Sequence, residues 1–586
     1  MTYQELRVLF TKRFHIPKIR YAEKALRQFT LAEKAVFFFL TVVFVLSAVI
    51  LLFRVNNSFL VDVPLRGGTL TEGIIGNPRF INPVLAISEA DKNLVSLVYS
   101  GLLRFDKSGK LTEDLAESVT VSGDGLTYTA KLKPGAVFHD GAGITADDIV
   151  FTVGKILDPG IKSPLYGDFV GVTVNKIDSS TVTFSLKRPY APFINNLTVG
   201  ILPKHVWSSV TDDEFSFSQW NVLPIGSGPY KVDNVTRDNG GIPNYYDLTP
   251  FDESVAGSPY IAHYVFKFFP SEADLLDAYD GGDIESLSGI SPDEALILKK
   301  KGARILSAPL PRVFGVFFNQ NSNSALLDKT VRQALDMSAP KQEIVDHVLD
   351  GYATPISGPL PPGLFASIND AALPKTRAER LAAASALLEK NGWTKNSETG
   401  ILEKKSKKDT LKLSLSLATS DNPELRAVAD MLKADWSELG ADVRVTIYDQ
   451  GDLNQNVIRP RRYDALLFGE VVGKDADVYP FWHSSERNDP GLNIALYANS
   501  QVDKLLTDAR AESDPAKREM LYQAFDTAVR ADVPAVFLYS PNFLYVVPKT
   551  VNGVALGELG SPQDRFRDAR NWYIETNSVW NIFVKN

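Results

Sequence analysis

The residues best suited to chemistry are three acids that lie close together in the sequence, Glu470, Asp475 and Asp477. Paired carboxylates of this kind can act as general acid and general base in hydrolysis. An anchored surface hydrolase would use the acids near 470–477 in this way.

The chain carries no catalytic or cofactor-binding motif. Its 586 residues include no cysteine, which excludes disulfides, thiolate metal sites, cysteine nucleophiles and a lipid-modified N-terminal cysteine. The six histidines are too scattered for a helical zinc-binding pattern. There is no phosphate-binding Gly-x4-Gly-Lys-Ser/Thr loop, no Gly-x-Gly-x2-Gly after a strand and no Gly-x-Ser-x-Gly elbow. We therefore expect no cofactor, no metal and no enzymatic activity, but a protein that captures a ligand unchanged.

The net charge of −8 is unevenly distributed along the chain. Residues 1–34 carry a net charge of +5, and the rest of the chain carries −13. Because nucleic-acid phosphates need a basic surface, a body this acidic is not expected to bind nucleic acid. The basic head instead suits the cytoplasmic face of a membrane.

An uncharged stretch of nineteen residues, Ala35–Phe53, lies between Lys34 and Arg54. As a helix it would extend about 28 Å, close to the thickness of the bilayer hydrocarbon core. Positive charge before the span predicts a single-pass topology, with residues 1–34 in the cytoplasm and the body outside. A cleaved signal peptide is the alternative, but no small-x-small cleavage site follows. We therefore interpret the stretch as a permanent anchor in the cell membrane, followed by a tether at 54–63.

Beyond the tether, short β-like runs alternate with amphipathic helices, which predicts an α/β body without short repeats. Val119–Leu132 is predicted to form a hairpin that turns at Asp124-Gly125. Thr145 and Ser271 are predicted helix N-caps. The other predicted elements are a strand at 68–72, helices after Asp328, at 377–391 and at 423–439, and strands at 441–448 and 533–539.

Six short motifs occur in a fixed order along the body. The longest is Leu132-Lys-Pro-Gly-Ala-Val-Phe-His-Asp-Gly-Ala-Gly-Ile-Thr-Ala-Asp-Asp-Ile-Val, and the others are Gly226-Ser-Gly-Pro-Tyr, Tyr279-Asp-Gly-Gly-Asp-Ile, Phe318-Asn, Asp328-Lys-Thr-Val-Arg-Gln-Ala-Leu and Gly351-Tyr-Ala-Thr-Pro. Each motif is weak alone. Because all six motifs occur in the same order as in that family, residues 68–586 resemble the family 5 extracellular solute-binding proteins. These are the receptors of peptide, oligopeptide and nickel ABC importers.

The resemblance implies a two-lobed, periplasmic-binding-protein-like α/β fold with an additional domain, and the anchor predicted from the apolar stretch would precede it as one transmembrane helix. Lobe I would be built from residues 64–105, 222–312 and 538–586. The additional domain would be residues 106–221, and lobe III would be residues 313–537. The lobes would close on the ligand like a hinge, which removes water and strengthens polar contacts.

The resemblance also suggests ligand-binding residues within Phe468–His483 of lobe III. Peptide-binding members hold the α-ammonium of the ligand with an aspartate after a Gly-aromatic pair. Asp475 is the first candidate for this role and Asp477 the second, although both aspartates could instead cap the following turn. Glu470 stands where the family usually has tryptophan, so it would favour a cationic ligand or face solvent. Trp482 would supply the missing aromatic wall or belong to the core.

Four further residues are implied as ligand contacts. Ser88 and Glu89 would offer backbone groups to an extended ligand, as in strand addition. Phe317, on the first strand of lobe III, and Tyr166, in the additional domain, would form pocket walls. Ordinary loop or core positions are the alternative for all four.

These expectations combine into an anchored receptor that captures short peptides and passes them to the permease subunits of an ABC importer. The anchor contacts membrane lipid and raises the effective concentration of receptor beside permease, and the receptor is expected to act as a monomer. A first alternative is a receptor for another solute, such as a nickel chelate or an oligosaccharide. Further alternatives are an anchored surface hydrolase that uses the acids near 470–477, and a structural or sensory surface protein.

Overall fold

The computed structural model describes residues 27–364, 376–405, 410–473 and 477–584. The chain divides into two units. One consists of Met1–Leu65 and Thr576–Asn586, and the other of Arg66–Glu575.

The described residues form strands and helices that we number in chain order. The strands are β1 (Leu60–Leu65), β2 (Thr69–Ile75), β3 (Leu103–Phe105), β4 (Leu111–Glu113), β5 (Ala116–Val121), β6 (Thr127–Leu132), β7 (Thr173–Lys176), β8 (Thr181–Ser185), β9 (Tyr230–Arg237), β10 (Pro243–Pro250), β11 (His263–Phe269), β12 (Ser286–Ser288), β13 (Ile305–Pro309), β14 (Arg312–Phe318), β15 (Ala353–Pro355), β16 (Thr394–Lys395), β17 (Leu402–Lys405), β18 (Thr410–Lys412), β19 (Ser414–Ser420), β20 (Asp442–Tyr448), β21 (Ala465–Val471), β22 (Ala535–Val546) and β23 (Glu575–Trp580). The α-helices are α1 (Leu31–Phe59), α2 (Glu89–Val98), α3 (Ala146–Leu157), α4 (Tyr166–Phe169), α5 (Phe193–Asn196), α6 (Lys204–Trp207), α7 (Glu272–Asp280), α8 (Pro292–Lys300), α9 (Lys329–Ser338), α10 (Lys341–His347), α11 (Arg377–Lys390), α12 (Pro423–Leu439), α13 (Gln450–Asp452), α14 (Tyr479–Trp482), α15 (Ser500–Ala511) and α16 (Pro515–Asp532).

The first unit is built around the long apolar helix α1. The helix begins at the capping box of Thr30 and Glu33, and no residue in it is buried. Within the described residues it is the one helix long and apolar enough to span a membrane. It continues to Phe59, so the first part of the predicted tether is helical. Strand β1 then pairs with β23 from the C-terminus in a two-stranded ribbon.

The second unit contains a mixed sheet of twelve strands within the described residues. Its path is β20-β19-β21-β14-β22-β12-β2-β11-β10-β9, with β13 and β15 also paired to β22. The long strand β22 joins the two halves of the sheet. Its first residues pair with β14, and its last residues pair with β12 and β13. The change of partners occurs around Pro541, whose carbonyl accepts from the Leu310 backbone N–H at 3.0 Å.

The buried apolar residues form separate clusters on the two sides of the point near Pro541 where β22 changes its partners. Within the described residues, the core clusters on one side draw their buried side chains from Leu70–Leu310 and Phe543–Trp572. Those on the other side draw them from Val313–Tyr539. The segment boundaries predicted at 312/313 and 537/538 lie close to this division, and the assignment of lobes to those segments stays a prediction.

A separate sheet, β5-β6-β8-β7, lies within the segment predicted as the additional domain. The predicted hairpin is confirmed as β5 and β6, which pair antiparallel. Gly125 in its turn has φ of +69°, a left-handed conformation that glycine adopts without steric cost. The predicted cap of α3 is confirmed as a capping box of Thr145 and Asp148.

Other predicted elements are also confirmed. Ser271 caps α7, and Asp328 caps α9, in which the side chains of Val331, Ala334 and Leu335 are buried as the apolar pattern indicates. The helices predicted at 377–391 and 423–439 are α11 and α12. The strands predicted at 441–448 and 533–539 are β20 and β22, and β22 extends to Val546 because its second half pairs with β12 and β13.

A fully buried ion pair joins distant parts of the chain. The Arg565 guanidinium lies 2.6 Å from the Glu72 carboxylate, and both side chains have 0% exposure. Tyr264 and Tyr545 donate hydrogen bonds to the same Glu72 oxygen at 2.5 and 2.9 Å. Arg565 also donates to the Asn93 side chain at 2.9 Å. These residues come from the three stretches that the resemblance assigns to one lobe, so the network links them through hydrogen bonds that compensate the buried charges.

Candidate ligand site

A cavity of about 900 Å³ lies where several separated segments of the second unit meet. The cavity is lined by residues from 105–128, 189–195, 309–311, 362–364, 511–518 and 557–559. A cavity of this volume is at the upper end of the range typical for small-molecule sites.

The described walls of the cavity are largely apolar, with a few charges. Tyr128, Tyr190 and Ile194 line the cavity, together with prolines from several segments. The charged lining residues are Lys110, Arg518 and Glu558. Burial raises the pKa of Tyr128, although the nearby Arg518 charge lowers it in part. An apolar cavity with a few convergent polar groups is suited to a ligand that has both a hydrophobic body and polar ends.

Tyr190 connects the cavity wall to one of the predicted site residues. Its loop lies between Pro189 and Pro192, whose rings fix φ and disfavour the helical region for the residue before each proline. The Tyr190 hydroxyl donates to the Asp477 carboxylate at 3.1 Å. In the same loop, the Ala191 backbone N–H donates to the Arg510 carbonyl at 2.8 Å. The loop therefore ties residues 189–192 to the C-terminal end of α15.

Asp477 is engaged by a cation of the protein itself. The Arg510 guanidinium donates from Nε to both carboxylate oxygens at 2.9 and 3.0 Å, and from Nη2 to one of them at 2.6 Å. The Tyr479 backbone N–H also donates to Asp477, at 3.3 Å. Asp477 thus accepts one backbone hydrogen bond from the start of the following turn, and its charge is paired with that of Arg510. A ligand ammonium would have to compete with this guanidinium for the carboxylate.

Arg510 lies between aromatic rings. The carbon at the centre of its guanidinium is 3.7 Å from the centroid of the Tyr479 ring and 5.7 Å from that of Tyr190, within reach of cation–π attraction. Burial alone would lower the pKa of Arg510, but its hydrogen bonds to Asp477 and the charge of that carboxylate raise it above the ordinary value. The arginine therefore stays charged and holds Asp477 and Tyr190 together.

Glu470 lies inside the apolar core on β21 instead of facing solvent. Its side chain is 3% exposed, and neither carboxyl oxygen has a hydrogen-bond partner within the described part of the chain. Burial raises the pKa of Glu470 well above its usual value, and the nearby Trp482 indole offsets this only in part. Burial therefore favours the neutral form of this carboxyl, which attracts a cationic ligand less than a carboxylate would.

Trp482 and Phe317 belong to the same apolar core cluster as Val472, which lies two residues after Glu470. Both side chains have 0% exposure. Their ring centroids lie 6.2 Å apart, and Trp482 also packs against Phe537 at 5.7 Å. For Trp482 this placement matches the core alternative of the sequence analysis, and neither residue lines the cavity described above.

Ser88, Glu89 and Tyr166 lie on the surface of the second unit. Ser88 is the N-cap of α2, and its backbone N–H donates to Asp91 at 3.1 Å while its carbonyl accepts from Lys92 at 3.1 Å. Tyr166 begins α4 and is 41% exposed. The cavity lining does not include these residues. Asp475 lies outside the described residues. Ligand contact by any of the eight predicted site residues stays a prediction.

Sequence reasoning missed the partners of Asp477. Tyr190 precedes it by 287 residues and Arg510 follows it by 33. Neither belongs to a motif, and an arginine in the last turn of a helix is also expected simply because it stabilises the helix dipole. No signal in the sequence indicated that these side chains meet.

Comparison with known proteins supports the class that this fold and cavity define. Residues 110–490 match the family model described as bacterial extracellular solute-binding proteins, family 5 Middle. The oligopeptide-binding protein AppA of Bacillus subtilis is 29% identical over 496 residues, which cover 84% of this chain and 89% of that protein. The chain belongs to family 5 of the bacterial extracellular solute-binding proteins.

Solved structures give the same result for the fold. AppA from Bacillus subtilis in complex with a nonapeptide has a TM-score of 0.66 at 28% identity, covering 88% of this chain and 100% of that chain. The ABC transporter substrate-binding protein CtaP from Listeria monocytogenes has a TM-score of 0.73 at 28% identity, covering 87% and 99%. NikZ from Campylobacter jejuni in complex with Ni(L-His) has a TM-score of 0.67 at 26% identity, covering 86% and 99%. The predicted periplasmic-binding-protein-like fold is confirmed, and the family is one of solute receptors.

Proposed function

We propose that this receptor captures short peptides in the cavity of about 900 Å³ and delivers them to an ABC importer. The observation that carries the proposal is the cavity itself, which is lined by separated segments and has apolar walls with charges of both signs. Such a lining suits a peptide, whose side chains are often apolar and whose ends are charged. Peptide-binding relatives, among them the nonapeptide complex of AppA, add support.

The α-ammonium of the peptide is proposed to bind a carboxylate of the Phe468–His483 segment. Asp475 is the first candidate and Asp477 the second. Since Arg510 already pairs with Asp477 at 2.6 Å, Asp475 is the better candidate of the two. A charge-assisted contact of this kind is worth about 10- to 100-fold in affinity.

An affinity experiment tests the ammonium contact. Calorimetry with a free peptide and its N-acetylated form, on the wild type and Asp475→Asn, separates charge recognition from general binding. We expect Asp475→Asn to weaken only the free peptide. An equal loss of affinity for the free and the acetylated peptide would contradict the role of Asp475, but it would not contradict peptide capture.

Ligand capture is proposed to involve a hinge movement that brings the two halves of the second unit together. The hinge would lie in the two segments that connect the halves, near Leu310 and Pro541. Strand β22 and the 309–312 stretch connect the two halves of the sheet there. Because the chain has no cysteine, spin labels on Lys92→Cys and Asp421→Cys report a distance between the halves without background. A shorter distance with peptide supports closure, and an unchanged distance contradicts it.

A second candidate ligand is a metal chelate, favoured by the similarity to NikZ in complex with Ni(L-His). Native mass spectrometry of the second unit identifies a co-purified molecule directly. Thermal shifts with di- to nonapeptides, nickel–histidine and a neutral oligosaccharide then rank the solute classes. Stabilisation by peptides alone would support peptide capture. Stabilisation by nickel–histidine or by sugar alone would contradict it and identify the other solute class. Recovery of a cleaved peptide would favour the hydrolase alternative.

The receptor is also proposed to remain anchored in the cell membrane as a monomer. Helix α1 would cross the bilayer once, with the basic residues 1–34 in the cytoplasm and the body outside. The absence of cysteine supports this, because a lipid anchor on an N-terminal cysteine is excluded. Anchoring would confine the receptor near its permease.

A further inference from the structure

A small apolar group lies at the end of strand β23, beside the end of helix α1. Trp580, Ile582 and Phe583 are 45%, 76% and 73% exposed. They follow or end strand β23, and Asn581–Phe583 form a 3-10 turn. Large apolar side chains exposed in a cluster mark an interaction surface.

Two contacts fix the level of Trp580 along helix α1. Its indole N–H donates to the Asn56 side chain at 3.0 Å. Its ring centroid is 6.4 Å from that of Phe59. Asn56 is three residues beyond Phe53, the last residue of the uncharged stretch, which corresponds to about 4.5 Å along the helix axis. Trp580 therefore lies just outside the level at which the apolar stretch ends.

The direction of the C-terminal strand places the following residues closer to that level. Ser578 donates to Asp62 at 2.7 Å, whereas Trp580 contacts Phe59 and Asn56, so the strand runs back along the chain toward Phe53. A 3-10 turn advances about 2 Å per residue. A turn that continues in the direction of the strand would carry Ile582 and Phe583 about 4–6 Å further, to the border of the apolar stretch.

We propose that Trp580, Ile582 and Phe583 form a second membrane contact, inserted into the headgroup region of the outer leaflet. This inference rests on the proposed anchoring of α1 in a bilayer. Tryptophan is favoured at this depth because its ring is apolar while its N–H remains hydrogen-bonded. An isolated two-stranded ribbon is also marginally stable in water, so the bilayer surface would stabilise the pairing of β1 with β23. The contact would hold the start of the receptor's tether, just after the apolar stretch of helix α1, at the membrane surface.

The test uses the full chain in liposomes that contain brominated phosphatidylcholine, which quenches tryptophan only at close range. The chain has seven tryptophans, so contact by Trp580 alone should quench up to about one seventh of the emission. Trp580→Phe should abolish this quenching, and Trp580→Phe with Phe583→Trp should restore it. Trp220→Phe, at a half-buried position of the second unit, is the matched control that leaves quenching unchanged.

Flotation of the liposomes separates the two proposals. If the wild type fails to float with lipid, the anchoring proposal is wrong and this inference falls with it. If the wild type floats but is not quenched, or if Trp580→Phe is quenched equally, the membrane contact alone is overturned. Circular dichroism melting of each variant verifies that it is folded before quenching is compared.

Discussion

The Tyr190 hydroxyl donates a hydrogen bond of 3.1 Å to the Asp477 carboxylate, which joins two segments separated by 287 residues. The Arg510 guanidinium binds the same carboxylate, with its Nη2 2.6 Å from the oxygen that accepts from Tyr190. The three side chains therefore couple the loop at 189–192 to the segments that hold Asp477 and Arg510, beside the cavity. Any movement that separates these segments has to break or carry along the Asp477 contacts.

The first prediction concerns the Asp477–Arg510 pair. The Asp477 side chain is 9% exposed, so Arg510→Met leaves a nearly buried carboxylate without its cation. We expect a loss of about 2–4 kcal/mol in the free energy of unfolding, measured by urea denaturation of the second unit. Tyr190→Phe removes one hydrogen bond and should cost about 1 kcal/mol. The double variant Arg510→Met with Asp477→Asn should be more stable than Arg510→Met alone. A double variant that is equally unstable would show that the charge is not the cause.

The second prediction concerns pH and Glu470. Its folded-state pKa is raised by burial above the unfolded value, so the proton is bound more tightly in the folded state. The stability that this proton binding provides is complete below the unfolded pKa of about 4.3 and is lost as the pH rises toward the folded pKa. The loss is at most about 1.4 kcal/mol per pH unit.

Glu470→Gln removes this dependence. We expect the variant to gain stability relative to the wild type as the pH rises from 4 to 8, with the smallest difference at pH 4. Urea denaturation across that range measures the gain. Glu113→Gln, at an exposed position, is the charge-matched control and should give no such trend. A constant difference between Glu470→Gln and the wild type would contradict the assignment of a buried, titrating carboxyl.

The third prediction concerns the buried Glu72–Arg565 pair. Arg565→Met leaves the Glu72 carboxylate without its cation at 0% exposure, which should cost about 3–5 kcal/mol. Tyr545→Phe removes one hydrogen bond to Glu72 and should cost about 1 kcal/mol. The surface pair Lys131–Glu117, with side chains 55% and 49% exposed, is the control. Lys131→Met is expected to change stability by no more than about 1 kcal/mol, and a similar effect for both pairs would refute the role of burial.

The fourth prediction concerns the anchor. The full chain should remain in the membrane pellet after a carbonate wash, whereas a chain that consists of Arg66–Glu575 alone should be soluble and should bind the same ligand. The truncation follows the division between the two units. N-terminal sequencing of the membrane-bound protein tests the alternative, since a mature terminus after Phe53 would identify a cleaved signal peptide and exclude the permanent anchor.

Much of the fold could be predicted from local pattern. The hairpin at Asp124-Gly125, the capping box at Thr145 and the buried stripe of α9 follow from residues that are neighbours in the sequence or one helical turn apart. The full extent of β22 could not be predicted in this way. Its second half is strand because β12 and β13 pair with it, and strand pairing between distant segments leaves little trace in a single sequence.

The candidate site was less accessible to sequence reasoning. The segment that contains Asp477 was found by resemblance, but the side chain that neutralises it was not. Glu470 was interpreted as a cleft or solvent-facing acid because a charged residue on a strand normally faces water. The structure buries it because its position on β21 faces the same core cluster as Trp482 and Val472.

Residue chemistry and order by themselves determined the class of this protein: no thiol, no catalytic motif, one apolar stretch, an acidic body and a collinear set of family motifs. These properties are local or compositional, so they can be read without coordinates. Only the tertiary structure decided which charges meet, which acid is buried and where the cavity lies. Those outcomes depend on contacts between residues far apart in the chain, whose free energies come from burial and geometry that the sequence does not display.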